Sequence, residues 1–152
     1  MAIYGGLPEE YPDTIQTEEL FQDELWFVVA PGHRYANQHV SLNEMMREPF
    51  VMREEGSSTR ERLFALCRTY NAPAPKIALQ FNGLHEAITA VIAGYGANFV
   101  SSLVVREYVA RGDLSRVYVE GVDLRNIIAI CTRKNEPLST AAINLIELIR
   151  NN

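Results

Sequence analysis

The sequence predicts an α/β fold with a largely parallel sheet. Short apolar runs suited to buried strands alternate with stretches of helical period across most of the chain. Prolines, glycines and capping hydroxyls fall between these stretches rather than inside them. The chain has 152 residues, 47% of them hydrophobic, which suits one ordinary domain or two small lobes with a real core.

The elements follow in order. Ala2-Ile3-Tyr4 reads as the tail of a strand turned by Gly5-Gly6. Leu25 to Ala30 (LWFVVA) is continuously apolar, as for a strand buried on both faces, and Pro31-Gly32 closes it. Ser41 with Glu44 is a capping box, so a short helix should run to about Glu48 and stop at Pro49. Phe50-Val51-Met52 is the next strand. Ser58 with Glu61 reads as a second capping box. Behind it Leu63, Phe64, Cys67 and Tyr70 form the inward face, with Arg60, Glu61, Arg62 and Arg68 turned to solvent. Lys76 to Phe81 is a strand. Leu84, Ala87, Ile88, Val91 and Ile92 mark a helix ended by Gly94. Ala97 to Ser101 is a strand, and Ser102 opens a helix closed by Gly112. Val117 to Val119 and Ile127 to Thr132 are strands. Ser139 caps the last helix, whose inward face should be Ala142, Ile143, Leu145, Ile146 and Ile149.

Charge and chemistry narrow the function. The net charge is −5 and the 14 Lys and Arg are scattered, which argues against a free-standing nucleic-acid binder. Cys67 and Cys131 have no partner at metal-ligand spacing and read as reduced core thiols. The opening residues MAIYGGLPEE lack the charged and apolar regions of a signal peptide, so the expectation is a cytoplasmic protein without a membrane segment. Glu54 and Glu55 are adjacent, so they would point opposite ways on a strand and make a poor catalytic pair. His33, His39 and His85 lack carboxylate or cysteine neighbours at metal spacing, and read as solvated or capping residues. No nucleophile elbow, P-loop or dinucleotide fingerprint occurs, so no catalytic residue, metal site or cofactor is expected. Binding is better supported. Gly56-Ser57-Ser58-Thr59 and Asn82-Gly83 each place small polar residues between a strand and a helix start, where free amides and the helix dipole favour an anion.

The order of four segments carries a resemblance. ELWFVVAPGHRYA, VSLNEMMREPFVMREEGSSTRERLF, HEAITAVIAGYGANFVSSLVV and RNIIAICTRKNEPLSTAAINLIELI follow one another as in the effector-binding domain of LysR-type transcriptional regulators. The sequence resembles that family from Ala2 to Ile149. The resemblance implies a periplasmic-binding-protein-like two-lobe α/β fold with mainly parallel sheets, its first lobe incomplete. Residues 1–30 would be a partial first lobe and crossing strand, 31–120 the second, effector-binding lobe, and 121–152 the return strand and the C-terminal helix of the first lobe. A small anionic metabolite would bind between the lobes. Its contacts would be Tyr4, Gly5, Gly6, Glu55, Gly56, Ser57, Ser58, Asn82 and Ser101, with Arg53 or Arg60 offsetting the charge of Glu55. The family further implies a homo-oligomer through the effector domains, and DNA contact only through an N-terminal winged helix-turn-helix outside this sequence. The alternative is a solute-binding protein or an enzyme on the same fold.

Overall fold

The computed structural model describes residues 1–6 and 11–152; residues 7–10 of the expected partial first lobe lie outside the described residues. Strands and helices alternate as the periodicity predicts. The strands are β1 (Ala2–Gly5), β2 (Ile15–Val29), β3 (His39–Val40), β4 (Pro49–Arg53), β5 (Lys76–Phe81), β6 (Asn98–Ser101), β7 (Ser115–Val119) and β8 (Arg125–Arg133). The helices are α1 (Leu42–Met45), α2 (Ser58–Thr69), α3 (Leu84–Ile92), α4 (Ser102–Arg111) and α5 (Thr140–Arg150). The chain divides into two compact units, residues 1–23 with 125–152, and residues 24–124.

The second unit, residues 24–124, holds most of the core. The end of β2 explains the LWFVV run. Leu25, Phe27 and Val29 face one apolar cluster with Met45, Met46, Phe50, Leu63 and Phe99. Val28 faces the other, with Val51, Ile88, Val91, Val100 and Leu114. A strand buried on both faces has no reason to alternate. The Phe27 ring packs 4.7 Å from Phe99 and edge-on to Phe50 at 6.2 Å.

The strand pairing corrects one expectation. Parallel pairing joins β4 to β5 and β3 to β7, but β2 pairs antiparallel with both β6 and β7. The described sheets are therefore mixed rather than mainly parallel. Strand–helix alternation forces parallel neighbours only where a helix returns the chain to the same end, and β2 instead receives strands that arrive from elsewhere in sequence.

Two histidine and helix-face expectations also change. His33 is not solvated. Its Nδ1 accepts from the Tyr35 amide at 3.0 Å, so the neutral ring carries its proton on Nε2, which lies 2.9 Å from the buried Glu48 carboxylate. Arg34 donates to the same carboxylate through Nε at 3.1 Å. Burial opposes ionisation of Glu48, but the Arg34 and His33 bonds outweigh it and hold the carboxyl below its ordinary range.

In the first unit β8 lies between β1 and β2, and β1 runs antiparallel to it, Tyr4 opposite Ala129 and Gly5 opposite Ile128. Ala129, Ile130 and Ile146 are buried. Of the predicted inward face of α5, Ile146 is buried, whereas Ile143 and Leu145 are exposed, as is Leu148. Strand β2 begins at Ile15, well before Leu25; residues 15–24 are mostly exposed, with Asp23 buried, and no continuous apolar run announces them.

Candidate functional site

Three helix starts gather at one end of the second unit. Strands β4 and β5 run side by side, with Arg53 opposite Phe81 at their carboxyl ends. Ala97 bridges Phe50 in parallel, so β6 runs in the same direction along the other side of β4. The Val51 amide donates to Ala97 O at 2.7 Å, and the Ala97 amide to Pro49 O at 2.8 Å. Residues 54–57, Asn82-Gly83 and Ser101 thus lead from three co-directional strand ends into α2, α3 and α4. That end of an α/β sheet is where ligands sit.

The three starts are finished differently. At α4 the Ser101 hydroxyl caps the helix, accepting from the Leu103 amide at 3.2 Å. At α3 the cap residue is Gly83, with no side-chain cap of its own. The Glu86 carboxylate folds back over it, and a Cβ on Gly83 would meet Glu86 Oε2 at 1.7 Å. This acid at the third helical position places negative charge where the dipole favours it. At α2 the cap residue is Ser57, not Ser58 as the Ser58/Glu61 spacing predicts. Its hydroxyl makes no bond to the helix backbone and lies 3.2 Å from the Thr59 hydroxyl. The turn before it closes by Ser57 N to Glu54 O at 3.2 Å, and Gly56 takes φ +87°, a conformation other residues adopt with strain. The first-turn amides of α2 are therefore left without a side-chain cap.

Beneath this loop lies the residue that sequence reading misplaced. Arg60 is buried, not turned to solvent. Its Nη1 donates to Arg53 O at 2.9 Å and to Gln80 Oε1 at 2.7 Å, tying the ends of β4 and β5 to the first turn of α2. Its guanidinium also lies 5.7 Å from the Phe64 ring. Arg60, Leu63 and Cys67 share one face at i, i+3, i+7, and that spacing was the available signal. Tyr70, expected on the inward face, is 41% exposed. The other nearby cation, Arg53, is held by Glu54 at 2.8 and 2.9 Å. The Arg53 bonds keep the Glu54 carboxyl below its usual range.

Of the nine predicted contacts, Gly56, Ser57, Ser58, Asn82 and Ser101 come together at this sheet end, with Glu55 on the same loop. Ser58 and Asn82 are exposed, and Glu55 extends into solvent. Ser101 is engaged in capping α4. Tyr4, Gly5 and Gly6 belong to the first unit. There Tyr4 is exposed, and the Gly6 amide, at φ +81°, donates to Ile127 O at 3.0 Å. Among the described residues no group of three or more His, Cys, Asp or Glu could hold a metal ion. No helix of the described residues is long and apolar enough to cross a membrane.

Comparison with known proteins follows the same lines. The sequence profile of the LysR substrate binding domain matches residues 1–152. The chain is 25% identical over 146 residues to a probable RuBisCO transcriptional regulator of Gracilaria tenuistipitata var. liui, covering 93% of this chain and 47% of that protein. It thus spans less than half of that relative's length. Among solved structures, the regulatory domain of CcmR from Synechocystis PCC6803, in complex with 2-PG, superposes with a TM-score of 0.84 at 18% identity, covering 98% of this chain and 71% of that one. The effector binding domain of QuiR, in complex with shikimate, superposes with a TM-score of 0.77 at 18% identity, covering 97% of this chain and 69% of that one. At such identities the likeness is one of fold, which is that of LysR regulatory domains.

Proposed function

The chain belongs to the LysR substrate binding domain family, and from that premise we propose that it is the sensing domain of a transcription regulator, binding a small anionic metabolite. The single observation that carries this reading is the start of α2. It offers uncapped amides, a helix dipole and a nearly buried guanidinium at the carboxyl end of β4. Gly56, Ser57 and Ser58 would contact the anion directly. Asn82 and Ser101 would flank it. The relatives solved with 2-PG and with shikimate support a small effector for this fold. The domain would have no catalytic role, act in the cytoplasm, and reach DNA through a winged helix-turn-helix outside this sequence. Its own net charge of −5 suits that division of labour.

Thermal shift of the purified chain against a panel of di- and tricarboxylates, phosphorylated metabolites and neutral analogues tests the ligand class. Anions should raise the melting temperature. Stabilisation by neutral or cationic compounds alone would sink the reading.

Self-association is the second part of the proposal. Strand β5 is the outer strand of the β4–β5 pair. Beside it Leu79, Phe81, Ala90, Ala93 and Tyr95 line a shallow hollow of about 650 Å³. An exposed edge beside an apolar hollow suits a second copy. Light scattering over a concentration series should show dimers or larger species, and Ala93→Glu, at an exposed position of the hollow, should dissolve them. A monomer at all concentrations would refute this part.

A further inference from the structure

The geometry of the α2 start points to a built-in competitor for the ligand, and we infer that Glu55 is that competitor: its carboxylate stands in for the effector's anionic group over Arg60. Arg60 is nine-tenths buried, and a buried charge is costly unless an opposite charge answers it. Both of its close bonds go to neutral acceptors, Arg53 O and the Gln80 amide oxygen. They leave the positive charge uncompensated. The other local cation–acid pair is closed, because Glu54 takes both its bonds from Arg53.

Within 4.0 Å of Arg60, among the described residues, the one carboxylate is Glu55, 3.8 Å from Nη2. That is ion-pair distance but not a hydrogen bond. The two partners differ sharply in setting. The Arg60 side chain is 9% exposed and the Glu55 side chain 87% exposed. One partner is therefore fixed by the fold and the other is held by little except charge. A side chain so exposed swings away at small cost, and exposed ion pairs contribute little stability. Nη2 of Arg60, with no hydrogen bond among the described residues, is the group released when it does. It lies at the start of the helix whose first-turn amides no side chain caps.

This arrangement deepens the proposed anion-sensing role and rests on it. An entering carboxylate or phosphate would exchange for the Glu55 carboxylate, charge for charge, without a net change in the buried charge of the loop. A neutral ligand brings no charge to answer Arg60 when Glu55 swings away, so it gains less from the exchange than an anion does. The pair thus favours anions over neutral compounds and weakens anion binding by the free energy of displacing Glu55.

The test uses the full chain with inorganic phosphate and, separately, malonate at constant ionic strength. Amide signals of Ser58, Thr59 and Arg60 are followed by NMR. Glu55→Gln keeps the shape and removes the competing charge, so it should bind either anion about fivefold more tightly than wild type. Glu61→Gln, which removes another acid from the same first turn, should stay within about twofold of wild type, because among the described residues Glu55, not Glu61, lies within 4.0 Å of the Arg60 guanidinium. If wild type binds and Glu55→Gln binds no more tightly, the competitor is refuted while anion sensing stands. An equal gain in Glu61→Gln refutes it too, since the effect would then be diffuse charge. If neither wild type nor Glu55→Gln shifts these amides, both readings fall.

Discussion

Helices α2 and α3 start at the same end of the same pair of parallel strands, and each follows a short polar loop. Their amides nevertheless meet different fates. At α3 the chain fills its own terminus, because Gly83 has no Cβ to keep the Glu86 carboxylate away. At α2 the hydroxyl of Ser57 turns to Thr59, and the buried Arg60 has the exposed Glu55 carboxylate 3.8 Å from Nη2. The third neighbour, α4, is closed by the Ser101 hydroxyl. A helix start has room for an anion only where the chain does not fill it itself. Of these three, α2 has neither a side-chain cap bond nor a carboxylate folded over its cap residue.

Substitutions at the three starts test that contrast. The largest effect should come from Arg60→Ala. It removes donors from Arg53 O and Gln80 and unties the ends of β4 and β5, costing about 2–3 kcal/mol. Denaturant unfolding measures this, and a loss no larger than that of a surface mutation would mean the guanidinium is not a structural tie. Ser101→Ala comes next, at about 1 kcal/mol, since it deletes a cap bond. A neutral outcome would show that α4 needs no cap.

Glu86→Ala should cost about 0.3–1 kcal/mol by exposing the α3 terminus to an uncompensated dipole. More tellingly, phosphate should then perturb the amides of residues 84–86, making α3 resemble α2. If those amides remain silent, self-filling is not what separates the two helices. Ser57→Ala should be the smallest of the substitutions, a few tenths of a kcal/mol, since the hydroxyl bonds no helix amide. A loss near that of Ser101→Ala would show that Ser57 caps after all.

Helix α1 offers a titratable version of a filled start. Glu44 accepts from the Ser41 amide at 2.8 Å, and the Ser41 hydroxyl accepts from Glu44 N at 3.1 Å. The bond from the Ser41 backbone holds the Glu44 carboxyl below its usual range. A depressed folded value means the bond's contribution is present above the ordinary carboxylate range, about pH 4.3, and fades as pH falls through the lower folded value. Exchange of the Ser41 amide should therefore gain protection from acid to neutral pH once intrinsic exchange is divided out. Glu44→Gln should flatten that trend.

Much of the architecture is legible in one dimension. The Ser41/Glu44 box forms as its spacing predicts, because both partners lie within one turn. The LWFVV run announces a strand buried on both faces, and the helix over Leu84–Ile92 follows its apolar period. Those features depend on neighbours within a few residues. The readings that failed depend on distant ones. Strand β2 was shortened because its first residues are exposed and carry no apolar pattern. On α5 Ile146 is buried and Ala142 and Ile149 are half-buried while Ile143 and Leu145 are exposed, because a helical stripe states which residues are apolar, not which of them find a partner.

The candidate site divides in the same way. The sequence by itself placed Gly56, Ser57, Ser58 and Asn82 between strands and helices, since small polar residues after an apolar strand leave few other readings. How each of those helix starts is finished depends on contacts that the folded chain makes. Glu61 stands three residues after Ser58 in the sequence, yet the helix starts one residue earlier and the box does not form. Arg60 carries the same signal as any charged surface residue. Its burial was set by Arg53 O and by Gln80, seven and twenty residues away in sequence, which arrive beside it only when β4 and β5 pair. Local periodicity determines an element and its two faces; the free energy of burying a charge depends on which acceptors the fold delivers to it, and that is known only once the strands are in register.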